Sequence, residues 1–129
     1  MDVKQFWRDV LRQDAVAIRA WFAEDAYVNW HCTNEHFTVN EFIRANCEYP
    51  GDWDGEVERV LDLGDRIVTV TRVWSREPRF FFHVNSWLRV ENGKILSIDE
   101  YWGDDGKAPQ WRQEMRIGRP IQNEKSEIL

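Results

Sequence analysis

The chain has 129 residues, 43% of them hydrophobic and 31% charged, and a formal net charge of −6. That length makes one domain with a real core. The acidic balance argues against a nucleic-acid partner, and no apolar run approaches the ~18 residues that cross a bilayer as a helix.

Asp2 is placed to cap a first helix running to about Gln13, with Phe6, Trp7, Val10 and Leu11 on one side. A second helix is expected from Asp14 to Phe22, burying Val16, Ile18, Trp21 and Phe22, and broken by Glu24-Asp25. Ala26 to His31 reads as a strand, followed by a short returning segment from Thr33 to Phe37. Thr38-Val39-Asn40-Glu41 is a capping box, in which hydroxyl and carboxylate satisfy opposite orphan amides. It opens a third helix that ends near Tyr49, because Pro50-Gly51 cannot continue it.

The period then changes to two. Glu56–Leu63, Arg66–Arg76, Phe80–Glu91 and Lys94–Trp102 read as four successive strands of an antiparallel meander. Gly64-Asp65, Glu77-Pro78-Arg79 and Asn92-Gly93 are the turns. Residues 103–113 read as a loop and short helix. One domain is expected over 1–121, with a polar, frayed tail over 122–129. Three helices followed by a meander imply an α+β fold, with the helices in the concavity of a curved sheet. The start, Met1 to Gln5, has no apolar signal region, so the cytoplasm is the expected compartment. The thiols of Cys32 and Cys47 are then expected to be reduced.

Side chains alternate along a strand, so Leu96, Ile98, Glu100 and Trp102 share a face. A lone carboxylate in an apolar row has either a buried cationic partner or a cavity that uses it. Arg72 interrupts the row Val68, Val70, Trp74 in the same way. A register of Arg72 opposite Val84, and of Val84 opposite Glu100, places the two charges on one face at salt-bridge reach. The two then form either a purely structural ion pair or a pair that also meets ligand, with Glu100 the candidate acid/base, Arg72 its orienting or oxyanion-stabilising partner, and His31 a third candidate at the end of its strand. Trp30, Trp74 and Trp102 are candidate pocket walls, with Asn46 and Tyr49 of the third helix as polar contributors. Arg59 reaches either the cavity rim or water. His31, Cys32 and His36 do not converge as zinc requires, so no metal is expected. No cofactor fingerprint is visible. Phe81, His83 and Trp87 alternate onto the opposite, convex face, which suggests a homodimer interface.

The order of elements resembles the SnoaL-like, nuclear transport factor 2-like superfamily over roughly residues 4–106. The likeness is carried by Trp21-Phe22-Ala23-Glu24-Asp25-Ala26 entering the first strand, Gly93-Lys94-Ile95 entering the last, and Tyr101-Trp102-Gly103-Asp104-Asp105-Gly106 closing it. The resemblance implies a cone-shaped α+β barrel with a pocket at its wide end, a small apolar or polyketide-like ligand, and dimerisation through the convex sheet. It leaves open cofactor-independent isomerase, cyclase or lyase chemistry, or non-catalytic binding. Ketosteroid isomerase uses an aspartate base and an oxyanion hole of a tyrosine and a protonated aspartic acid. Aligned on Phe22 to Ala26, the tyrosine falls on Phe6, the base on Trp30 and the second acid on Asn85 or Ser86. That mechanism is not expected here. The polyketide cyclases place an acid on a late strand, a part Glu100 resembles.

Overall fold

The computed structural model describes residues 1–77 and 79–121, so Pro78 and the tail expected over 122–129 lie outside the described residues. Helix α1 spans Val3–Leu11, and Asp2 caps it by accepting from the Gln5 amide at 3.0 Å. Helix α2, Ala15–Ala20, is capped in the same way by Asp14. It is shorter than its apolar residues suggest, and Val16 is 83% exposed rather than buried. The chain passes almost at once into β1, Phe22–Trp30. Glu24-Asp25 lies inside that strand, at an irregularity in its pairing, and does not separate a helix from a strand. Strand β2, Glu35–Thr38, returns antiparallel to β1. The capping box forms as expected: Thr38 Oγ1 accepts from the Glu41 amide and Glu41 Oε1 from the Thr38 amide. It opens α3, Val39–Cys47.

The meander follows as β3 (Trp53–Asp62), β4 (Arg66–Ser75), β5 (Phe81–Glu91) and β6 (Lys94–Asp104), then the short α4, Gln110–Glu114. All six strands form one sheet in the order β2-β1-β6-β5-β4-β3. Only β1 and β6 pair in parallel; the other neighbours are antiparallel. This is the mixed α+β architecture expected, with three N-terminal helices and a mainly antiparallel sheet.

One face of the sheet is packed under α1 and α3. It carries Ile67, Val73, Val84, Leu88, Ile95 and Ile98, all buried with Val3, Phe6, Trp7, Val10, Phe42 and Ile43 of those helices. On β4 this inner row is Ile67, Thr69, Thr71, Val73 and Ser75, so Val68, Val70, Arg72 and Trp74 point outward. The expected placement of Arg72 and Trp74 is thus corrected. Arg72 pairs with His83 and not with Val84. A slip of one residue moves a whole row to the other side of a sheet. Glu100 keeps its expected inward direction, because it pairs with Ser86, two residues from Val84. Two devices produce that shift. Asn92 and Gly93 form a two-residue turn, both with positive φ (52° and 75°), as tight hairpins require. A bulge then leaves Leu96 unpaired between Val90↔Ile95 and Arg89↔Ser97.

Candidate functional site

The inner face brings Trp30, Glu100, Ser86 and Thr69 into register across the four neighbouring strands β1, β6, β5 and β4. Glu100 is 3% exposed. Its Oε2 accepts from Ser86 Oγ at 2.7 Å, and its Oε1 accepts from the indole N–H of Trp30 at 3.1 Å and of Trp102 at 3.3 Å. No salt bridge among the described residues involves Glu100. Burial pushes its carboxyl above the ordinary glutamate range, and the bonds from Ser86, Trp102 and Trp30 oppose that shift without cancelling it. The protein has built a desolvated acid held by three neutral donors.

The expected pair with Arg72 does not form. Arg72 lies on the outer face, 3.4 Å from Glu56, and stacks on Trp74 with its guanidinium carbon 5.1 Å from the ring centroid. Trp74 is therefore part of the outer face and not a wall of the concavity. His31 follows the end of β1 and also belongs to the outer side. Its Nε2 lies 2.7 Å from Asp99 Oδ1, and its ring stacks on Tyr101 at 4.6 Å. Burial raises the Asp99 carboxyl, but the bonds from His31 and Asn29 hold it below the usual range. Phe81, His83 and Trp87 lie on the same outer face, as expected. There His83 sits between Asp105 at 2.5 Å and Glu58 at 3.2 Å. Arg59 is exposed beside a bulge in β3. No group of three metal-ligating side chains occurs among the described residues.

Between the helices and the inner face is a cavity of about 50 Å³. That is room for roughly four water-sized groups, at ~10–15 Å³ each. Asn46 and Tyr49 of the α3 end and Trp102 of β6 line it, together with Trp7, Val10, Leu11, Gln13, Trp53, Val73 and Phe82. Trp30, Ser86 and Glu100 are outside this lining. They lie behind Trp102, whose ring packs edge-on against Trp7, Trp30 and Phe82 at 5.9–6.4 Å. Trp102 thus forms the partition between cavity and acid, bonded to one and facing the other. Polar groups at the rim are committed to the scaffold. Gln13 donates to the carbonyls of Asn46 and Tyr49, and Asn46 donates to the carbonyl of Val10, all at 2.8 Å.

Sequence reasoning missed Trp7, Trp53, Val73 and Phe82 as lining residues. For Phe82 a signal existed: it alternates with Val84 and Ser86, the row opposite Trp102 and Glu100. For Val73 the signal was misread, because both rows of β4 are apolar enough to be inner. Trp53 is placed by stacking on Tyr49, four residues before it, at 5.2 Å and on Phe82, in a strand distant in sequence, at 5.9 Å.

A model of the SnoaL-like domain matches residues 3–98. No curated protein matches the chain. Solved structures share its fold at low identity. A protein provisionally described as a ketosteroid isomerase from Kribbella flavida is 20% identical, with a TM-score of 0.76 over 95% of this chain and 88% of the other. An NTF2-like protein of unknown function from Burkholderia xenovorans is 20% identical, with a TM-score of 0.72 over 93% and 92%. An epoxide hydrolase from M. tuberculosis is 15% identical, with a TM-score of 0.64 over 78% and 79%.

Proposed function

The chain belongs to the SnoaL-like domain family, and on that premise we propose that it binds a small, mostly apolar molecule in the cavity between α1, α3 and the inner sheet face. The observation that carries this reading is the lining: Trp7, Tyr49, Trp53, Phe82 and Trp102 converge from five parts of the chain on one space. An apolar wall with a few oriented polar groups is the usual composition of a ligand site. The test is titration with small neutral ketones such as acetone and butanone, matched to a space of about four water-sized groups, read by tryptophan fluorescence. Saturable quenching is expected, with about tenfold weaker binding in Tyr49→Ala, which truncates an exposed rim residue. Absence of saturation with every probe would overturn the reading.

A second reading, cofactor-independent isomerase, cyclase or lyase chemistry with Glu100 as acid/base, is favoured by one observation. Glu100 is buried without a cation, and its carboxyl is raised, as a proton-transfer group is when poised for neutral pH. Contact with a ligand then requires the Trp102 indole to swing aside. Arg72 and His31 have no place in this chemistry, since both lie on the outer face.

We propose further that the outer face is a homodimer interface. Trp87 is 51% exposed and Tyr101 44% exposed. They share that face with Val68, Val70, Trp74 and Phe81, apolar groups interrupted by the Arg72–His83 row, and exposed aromatics grouped on one face mark interaction surfaces. Sedimentation at micromolar concentration is expected to give a dimer mass, and Trp87→Glu a monomer. A wild-type monomer at all concentrations would refute the interface. No helix is long and apolar enough to cross a membrane among the described residues. A reducing compartment such as the cytoplasm suits the free thiols of Cys32 and Cys47.

A further inference from the structure

Leu11 is shared by two cavities. On one side is the aromatic chamber. On the other is an open groove of about 280 Å³ between α1 and the β3–β4 pair, lined by Lys4, Arg8, Gly55, Glu56, Val57 and Thr71. The helical repeat explains the sharing. Trp7, Val10 and Leu11 make the stripe that faces the chamber, and Lys4, Arg8 and Leu11 the stripe that faces the groove. The two converge at Leu11, in the last turn of α1. Gly55 lets Leu11 sit there: a Cβ on Gly55 would stand 2.9 Å from Leu11 Cδ1 and 2.7 Å from the Arg72 carbonyl oxygen.

The chemistry of the two compartments differs. No charged side chain lines the chamber. The groove carries two cations, Lys4 and Arg8, that have no carboxylate partner among the described residues. Arg8 directs Nε and Nη2 to the neutral Gln5 Oε1 at 3.1 and 2.9 Å. Neither Lys4 nor Arg8 enters a salt bridge among the described residues. The one acidic lining residue, Glu56, is turned to Arg72. Thr71 is fully buried, and its hydroxyl has no hydrogen-bond partner. Two cations that line the same groove as an unused hydroxyl, with no ion pair among the described residues, stand out in a chain of net charge −6. Together they suit an anionic oxygen.

We propose that chamber and groove are the two halves of one site for a small organic acid. Its apolar body sits among Trp7, Trp53 and Trp102, and its carboxylate sits between Lys4 and Arg8, with Leu11 turned aside. This inference rests on the cavity-binding reading above and adds the head group to it.

The test compares 3-phenylpropionate with its neutral counterpart, 3-phenylpropanamide, by tryptophan quenching and calorimetry on the full chain at low ionic strength. The acid is expected to bind at least tenfold tighter than the amide. The advantage should shrink with added salt, because the cations are near the surface. In the Lys4→Gln/Arg8→Gln double variant, both sites being exposed on a helix, the acid should bind no better than the amide. Equal binding of acid and amide by the wild-type chain would overturn the head-group inference and leave the cavity reading standing. A preference for the acid that survives the double variant would overturn it as well. If neither these probes nor the neutral ketones bind, both readings fall together.

Discussion

Glu100→Ala is expected to destabilise the fold by about 3–5 kcal/mol, whereas Glu100→Gln is expected to cost less than about 1 kcal/mol. Alanine removes the shared acceptor of two partly buried indole N–H groups and of the buried Ser86 hydroxyl, and leaves a small void. A buried unpaired donor costs about 1–3 kcal/mol and the void adds to it. Glutamine keeps an oxygen for Trp30 and Trp102 and offers its amide to Ser86 Oγ. The two variants also differ from the wild type in pH dependence. The carboxyl of folded Glu100 is raised by burial, so the native state holds a proton that the unfolded chain releases. The sign follows: this contribution favours folding at pH values below the unfolded value. It declines as pH rises from there through the folded value, and is constant above it. Wild-type stability should therefore fall across that window relative to Glu100→Gln, whose profile lacks the term. Urea denaturation between pH 4 and 9 measures both effects. Parallel profiles for the wild type and Glu100→Gln would show that Glu100 is not desolvated in solution.

Trp102→Ala is expected to cost about 2–4 kcal/mol, below the top of the range for a fully buried aromatic because Trp102 is only partly buried, and to join the aromatic chamber to Glu100. Trp102 packs against Trp7, Trp30 and Phe82 and gives its N–H to Glu100. Its removal takes away a wall and a donor at once. Water reaching the carboxylate should then return Glu100 toward the ordinary range, so the pH-dependent decline described above should fade. Trp102→Phe separates the two roles. It keeps most of the wall and removes only the N–H, for a loss of about 1–2 kcal/mol, while the decline with pH persists. Denaturation of the three forms at two pH values decides this. A Trp102→Ala variant that loses stability but keeps the wild-type pH profile would show that Glu100 is screened by something other than this indole.

Much of the architecture follows from local signals. Asp2, Asp14 and the Thr38–Glu41 box start the three helices where the sequence places them, since each satisfies backbone amides within its own turn. Period-two alternation locates all four strands of the meander to within a few residues, and it sends Ile98, Glu100 and Trp102 inward together. The family resemblance likewise rests on element order, a property of the linear chain. The isolation of Glu100 in its apolar row was legible for the same reason, as was the placement of Phe81, His83 and Trp87 on the face away from the helices. The identity of its partners was not.

What the tertiary structure alone decided is which rows meet. Both faces of β4 carry enough apolar residues to be inner: Val68, Val70 and Trp74 on one side, Ile67 and Val73 on the other. Alternation cannot choose between two such rows. The choice is made by register: the β4–β5 pairing fixes the rows of β4, and the bulge at Leu96 shifts those of β6. The unbroken β4–β5 register, with Arg72 opposite His83, put Arg72 outside, and the extra residue at the Leu96 bulge put Ser86 beside Glu100. The chamber arises in the same way. Trp7, Tyr49, Trp53, Phe82 and Trp102 are scattered over almost the whole chain, and only the crossing of α1 and the α3 end over the sheet gathers them. Sequence sets which face each side chain takes within its own element, because that follows from backbone geometry over a few residues. Contact between elements depends on registers and crossings summed over the whole fold.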